Sequence, residues 1–194
     1  PFEQHDGHAS NLLAMKKAII RYTEDHYDHS VTQYNVVVGS GAKQSIMSLL
    51  YAVLEPHDEV LFPAPYWVSY PEMVKLAGGV PVPVVPSNGG FQPTIEDMLE
   101  CVSSQTKVVI LNSPNNPSGA MYSKDFVAEM VRFCEQKNIW LVMDDLYNRL
   151  VFDGAQAPNP YPFAQDLGEA SRLVVVQGVS KMYAMTGFRI GWAI

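Results

Sequence analysis

The sequence predicts an α/β fold built on a mostly parallel sheet, and two observations carry that expectation. Short apolar, strand-like runs alternate along the chain with segments whose apolar residues recur at helical spacing, the order expected when helices cross between parallel strands. The 194 residues are 47% hydrophobic and 17% charged, enough for one sizeable core and far from the composition of a disordered chain. No internal repeat or low-complexity tract interrupts the pattern.

From Ser10 onward, Leu12, Met15, Ile19 and Tyr22 recur at helical spacing, and residues 35–38 form a short β-branched run ending at Gly39. Ile46, Leu49, Leu50, Val53 and Leu54 lie on one helical face, which predicts an amphipathic helix over 42–54 stopped by Pro56. Residues 59–62 read as a strand, 67–76 as a helix ended by Gly78 and Gly79, and 80–84 as a strand whose prolines favour a sheet margin. Thr94 and Asp97 make a capping-box-like start for a helix running through Cys101. Residues 107–111, 140–143 and 173–176 are apolar strands. Between the first two lies a helix capped by Ser123, with Phe126, Val127, Met130, Val131 and Cys134 on one face. Residues 154–162, with prolines at 158, 160 and 162, read as a long surface excursion within one domain.

Composition narrows the function classes. A net charge of −7 leaves no basic stripe to neutralise a phosphate backbone, so this segment is a poor nucleic-acid binder and a small pocket fits better. The two cysteines, Cys101 and Cys134, show no metal-ligand spacing, and reduced thiols in the cytoplasm are the expectation. Prolines 63, 65, 81, 83 and 86 break the most hydrophobic stretches, so no membrane-spanning run is expected, and no secretory signal pattern precedes the globular part. The chain opens at Pro1 and stops at Ile194 inside the apolar run 189–194, so both ends read as cut from something longer.

In open α/β sheets ligands bind outside the carboxyl ends of the strands, which makes the residues just after each strand the candidates. After residues 36–38 comes GSGAKQ, residues 39–44, opening a helix whose Gly41, Ala42 and Lys43 amides could meet an anion. It matches neither common nucleotide motif, and an ordinary tight helix start is an equal reading. After residues 107–111 comes NSPNNPSG, residues 112–119, a rigid polar turn. After residues 140–143 come Asp144 and Tyr147, and a carboxylate at a strand end is awkward unless it meets a cation such as a pyridinium nitrogen. Trp67 opens its helix, where its face could stack on a flat ring or simply pack in the core. Lys181, directly after the last of these strands and eight residues before Arg189, could be desolvated into an amine nucleophile while the arginine holds a phosphate.

Four segments in order, PAPYWVSYPEM (63–73), NSPNNPSG (112–119), DDLY (144–147) and SKMYAMTGFRIGW (180–192), resemble the aspartate-aminotransferase-like class I/II enzymes that use pyridoxal 5'-phosphate. The resemblance covers residues 35–194. It implies the large cofactor-binding domain of a three-layer fold, residues 1–194 being that domain incomplete, with the small C-terminal domain missing. It implies that Lys181 forms the Schiff base and that Arg189, with the helix start at Gly41, Ala42 and Lys43, holds the phosphate. Asp144 would pair with the pyridine nitrogen, Asn116 and Tyr147 would bond the 3'-oxygen, and Trp67 would stack on the ring. The implied reaction moves an amino group from an L-amino acid to a 2-oxo acid, with Lys181 carrying the α-proton, in a cytoplasmic homodimer.

The sequence departs from that family pattern in three places. Gly178 stands where many relatives carry a serine, leaving Ser180 or Ser40 to supply a phosphate hydroxyl. The opening PFEQHDGHASNLL lacks a clear tyrosine-containing turn, and the arginine that holds the substrate α-carboxylate would lie past Ile194. The same electron sink would also serve a carbon–sulfur lyase or a decarboxylase, and some transcription regulators carry such a domain as a sensor. The pairs His5 and His8, and His26 and His29, have no partners to close a metal site and read as solvated. Asp145 should face away from Asp144, and Arg149 and Arg172 read as surface or structural.

Overall fold

A computed structural model describes residues 3–164 and 171–194, with side chains from residue 11 onward. Its strands are β1 (Val37–Gly39), β2 (Glu59–Pro63), β3 (Val80–Val84), β4 (Thr106–Asn112), β5 (Trp140–Asp144), β6 (Leu173–Gly178) and β7 (Gly191–Ala193). They form one seven-stranded sheet in the order β1-β7-β6-β5-β4-β2-β3. From β6 to β3 every pairing is parallel, whereas β7 runs antiparallel to both β1 and β6. The helices are α1 (Glu3–Tyr27), α2 (Ala42–Val53), α3 (Ser69–Leu76), α4 (Ile95–Glu100), α5 (Lys124–Lys137) and α6 (Val179–Met182).

Alternation along each strand builds three layers. Val60, Phe62, Val108, Ile110, Val142 and Val176 pack with α2 and α3, while Leu61, Val109, Leu111, Leu141, Met143 and Val175 pack with α4, α5 and the end of α1. Successive side chains of a strand point to opposite faces, and both sets are apolar because helices cover both faces. Full burial of each such side chain stabilises the fold by about 1.5–3 kcal/mol, so Phe126, Val127, Met130 and Val131 alone anchor α5 firmly. Local signals fix the helix ends. The Ser123 hydroxyl accepts the Phe126 N–H, Asn138 closes α5 at φ 58°, and the Thr94–Asp97 capping box starts α4.

Several elements differ from the sequence reading. α1 starts at Glu3, seven residues before Ser10, and α3 starts at Ser69, leaving Trp67 on the turn before it. The strand β7 at 191–193 was not expected, because two of its three residues are glycine and alanine. The prolines of β3 do sit at the sheet edge. The 154–162 connector is more than a surface excursion: Pro158, Pro160 and Tyr161 are buried, and Asn159 donates to the Tyr27 carbonyl at 2.9 Å. Among the described residues, no helix is long and apolar enough to cross a membrane.

Candidate active site

The candidate residues come from the ends of β1, β2, β4, β5 and β6 and, for Arg189, from just before β7, and the fold brings most of them to one pocket. Ala42, Lys43, Trp67, Asn112, Asn116, Asp144, Leu146, Tyr147 and Lys181 line a shared cavity. Asn116 and Tyr147 also wall an adjoining apolar groove of about 400 Å³ with Met121, Leu150 and Phe152. A third cavity, of about 520 Å³, lies toward Asp25, Tyr27, Asp145 and Asn159 and holds none of the candidates.

Asp144 ends β5 and is buried. Tyr70, fully buried on α3, donates its hydroxyl to Oδ2. The Leu146 N–H lies close enough to favour the charge, yet Oδ1 has no hydrogen-bond partner. Burial carries the carboxyl up from 3.8 to about 6, against the opposing pull of Tyr70 and Leu146. Opposite Asp144 in the β4–β5 register stands Asn112. Its Nδ2 donates to the Asp144 carbonyl at 2.8 Å and its Oδ1 accepts the Asn116 N–H at 2.7 Å, tying two strand ends and the polar turn together. The sequence reading missed both Tyr70 and Asn112. Tyr70 lies three residues after Trp67, and Asn112 is the polar residue that closes an otherwise apolar strand.

Across the cavity, the Asn116 Nδ2 donates to the Tyr147 hydroxyl at 3.4 Å, which leaves the phenolic proton free to point outward. Burial and the Asp144 charge push the Tyr147 hydroxyl upward, so it stays protonated. The Lys181 Nζ lies 5.9 Å from the centre of the Tyr147 ring. Lys181 sits in the four-residue helix α6 rather than on a loop, and its side chain is exposed, so protein packing does not supply the expected desolvation. The Trp67 ring carries the Lys43 ammonium 4.7 Å from its centre and meets Tyr70 edge-on.

The start of α2 forms the second part of the site. Gly41 is its N-cap at φ 87°, without a side-chain cap, and an added Cβ would lie 2.6 Å from the Arg189 Nη2. Glycine at 41 is therefore needed for its conformation and for the space that the guanidinium fills. Its own N–H is spent on the Gly39 carbonyl at 2.9 Å, which corrects the expectation that this amide is available to an anion. Ala42 and Lys43 keep that possibility, because first-turn N–H groups have no intrahelical partner. Arg189, held at φ 52° with Nη1 on the Thr186 carbonyl at 2.9 Å, adds a positive charge beside the positive end of the helix. Ser180 is buried in α6 and Ser40 is exposed, and neither lines the shared cavity.

Asp145 faces away, toward α1, where it accepts the Tyr27 hydroxyl, and burial raises it to about 7. His29 is not simply solvated, since it stacks on Tyr161 at 4.3 Å and burial lowers its proton affinity. The side chains of His5 and His8 lie outside the described residues. No cluster of metal-ligating side chains occurs among the described residues. Arg172 lies over Trp140 and bonds Asn138 at 2.6 Å, a structural role.

The family model described as aminotransferase class I and II matches residues 7–194, further toward the start than the motifs alone reach. An asparagine–oxo-acid transaminase of Streptococcus mutans is 39% identical over 187 residues, covering 96% of this chain and 47% of that protein. An aspartate/prephenate aminotransferase of Cereibacter sphaeroides is 42% identical over 184 residues, covering 92% of this chain and 45% of that protein. Among solved structures, the aspartate aminotransferase of Thermotoga maritima superposes with a TM-score of 0.85 at 33% identity, over 92% of this chain and 47% of that one. The aspartate aminotransferase of Thermus thermophilus with maleate superposes at 0.84 and 37% identity, over 92% and 45%. The chain thus spans about half the length of the relatives it matches. It belongs to the class I and II aminotransferase family.

Proposed function

We propose that the protein is a pyridoxal-phosphate-dependent aminotransferase whose amino donor is a dicarboxylic amino acid such as aspartate and whose acceptor is a 2-oxo acid. The observation that carries the cofactor reading is the buried Asp144 Oδ1, which has no hydrogen-bond partner, on a residue that lines the same cavity as Lys181. A protonated ring nitrogen would satisfy that oxygen and turn a costly buried carboxylate into a paired one. The Arg189 guanidinium beside the uncapped start of α2 suits a phosphate, with the Ala42 and Lys43 amides as donors. Bound there, the cofactor supplies an aldehyde for amines and an electron sink for the carbanion left by α-proton removal.

The residues then divide the work. Lys181 would hold the cofactor and carry the α-proton, and its exposure leaves room for a substrate amine beside it. Asp144, kept in place by Tyr70 and Asn112, holds the ring nitrogen protonated. Tyr147 and Asn116, bonded to each other at the cavity wall, would donate to the ring oxygen, and Trp67 would cover the ring. Lys43 would give the site a charge preference: it lines the cavity with its ammonium over Trp67, forms no salt bridge among the described residues and could receive a second carboxylate. The relatives named for aspartate or asparagine, and the Thermus thermophilus aspartate aminotransferase structure with maleate, support that preference.

We assign residues 1–194 to the cofactor-binding domain and the arginine for the substrate α-carboxylate to a second, smaller domain. The exposed apolar side chains Val68, Tyr183 and Phe188, on segments flanking Trp67, Lys181 and Arg189, support pairing with a second copy. The two free thiols support a reducing cytoplasm. Loading the protein with the cofactor and adding L-aspartate alone tests the reaction. Stoichiometric oxaloacetate, with turnover starting on addition of 2-oxoglutarate, is the expected result. Sustained release of ammonia or carbon dioxide without an acceptor would favour the lyase or decarboxylase instead.

A further inference from the structure

Lys181 and Arg189 lie on one connection, the residues between β6 and β7, and both ends of that connection are fixed away from the pocket. The two strands pair with Gln177 opposite Trp192 and Gly178 opposite Gly191. At the glycine pair the backbones are in close contact. A Cβ at Gly178 would come within 2.9 Å of the Ile190 carbonyl, and one at Gly191 would overlap the Ala42 nitrogen. At the other pair the side chains engage each other on the α1 side. Gln177 is fully buried, accepts the Trp192 indole N–H through Oε1 at 3.0 Å, and donates through Nε2 to the Tyr27 hydroxyl.

That hydroxyl is a hub. It also receives the Asn148 amide and gives its own proton to Asp145. Asp145 follows Asp144, and its backbone N–H bonds the Val176 carbonyl at 2.9 Å, one residue before Gln177. One oxygen at the end of α1 therefore gathers the strand that carries Asp144 and the base of the connection that carries Lys181 and Arg189. Gln177 touches nothing in the pocket. Burying its amide costs desolvation that a hydrocarbon of the same size would avoid, so its value here is the geometry its two directional bonds impose.

We propose that Gln177, bridged to Tyr27, is a positioning residue that sets the Lys181 amine and the Arg189 guanidinium against the Asp144 carboxylate from behind the sheet. The proposal rests on the cofactor reading given above. Displacements well under the length of a bond matter for groups that must converge on one small molecule, and a shift at the base of the connection reaches both cations at once.

Gln177→Met keeps the volume and removes both hydrogen bonds, and Tyr27→Phe removes the hub oxygen alone. For each variant and the wild type, three quantities are measured: pyridoxal-phosphate affinity by absorption titration, the pH midpoint of the visible band of the bound cofactor, and the melting temperature of the cofactor-free protein. Both variants are expected to bind the cofactor about tenfold more weakly and to move the midpoint by about half a pH unit or more, whatever happens to melting. Wild-type affinity and midpoint in both variants, even with a lowered melting temperature, would show that Gln177 merely packs. If Gln177→Met does not fold, Tyr27→Phe decides by the same two readings. A wild type without any visible band would instead overturn the cofactor reading, and this proposal with it.

Discussion

At the scale of single residues, the site concentrates its cost in Asp144. Its carboxyl is carried from 3.8 to about 6 by burial, so in the cofactor-free protein the acid form suits the fold and the ionised form opposes it. A folded value above the unfolded one means that stability is present at low pH and is lost as pH rises through about 6, by about 3 kcal/mol. Asp144→Asn abolishes that titration. Without cofactor the variant should melt above the wild type at about pH 8, with the gap closing toward about pH 4; with cofactor the order should reverse, because the ring nitrogen loses its counter-charge. Thermal melts across that range check both signs. Lys43 offers a different readout. Lys43→Ala should raise KM for aspartate by about 10–100-fold while leaving alanine nearly unaffected, the loss expected for one charge-assisted hydrogen bond in steady-state kinetics.

At the scale of elements, the contact between β7 and the start of α2 places Arg189 beside Gly41. Gly191→Ala would drive a methyl group into the Ala42 nitrogen, and a fall in stability of about 3 kcal/mol is expected from denaturant titration. Gly41→Ala should also cost stability, because alanine is strained at φ 87°, and it should weaken cofactor affinity further because its Cβ enters the space of the Arg189 guanidinium. The contrast between these two glycines also shows what the sequence could convey. The helical spacing of Ile46, Leu49 and Leu50, the Ser123 cap and the Thr94–Asp97 capping box are local signals, and α2, α5 and α4 formed where they pointed. The order of strand-end motifs likewise named Asp144, Tyr147, Asn116 and Lys181, which do line one cavity. Tyr70 and Gln177 carry no such signal. Each resembles an ordinary core or strand residue until the fold places it against Asp144 or Tyr27. β7 was hidden for a related reason, since the glycine that permits its close approach also weakens its strand propensity.

At the scale of the whole molecule, the sheet gathers residues from Ala42 to Lys181 around one cavity, and cofactor binding there should stabilise the entire fold. Pyridoxal phosphate at about a hundred times its dissociation constant should add about 2.7 kcal/mol, a rise of about 5–10 °C in melting temperature for a chain of this size. Differential scanning fluorimetry with and without cofactor reads that shift directly, and Lys181→Ala should lose most of it. In the proposed function Lys181 is the lysine joined to the cofactor. Borohydride reduction of the cofactor-treated protein, followed by mass mapping of its peptides, tests it most directly: a phosphopyridoxyl adduct on Lys181 that vanishes in Lys181→Ala is the predicted result, and an adduct spread over Lys43 and other lysines, or none, would contradict it.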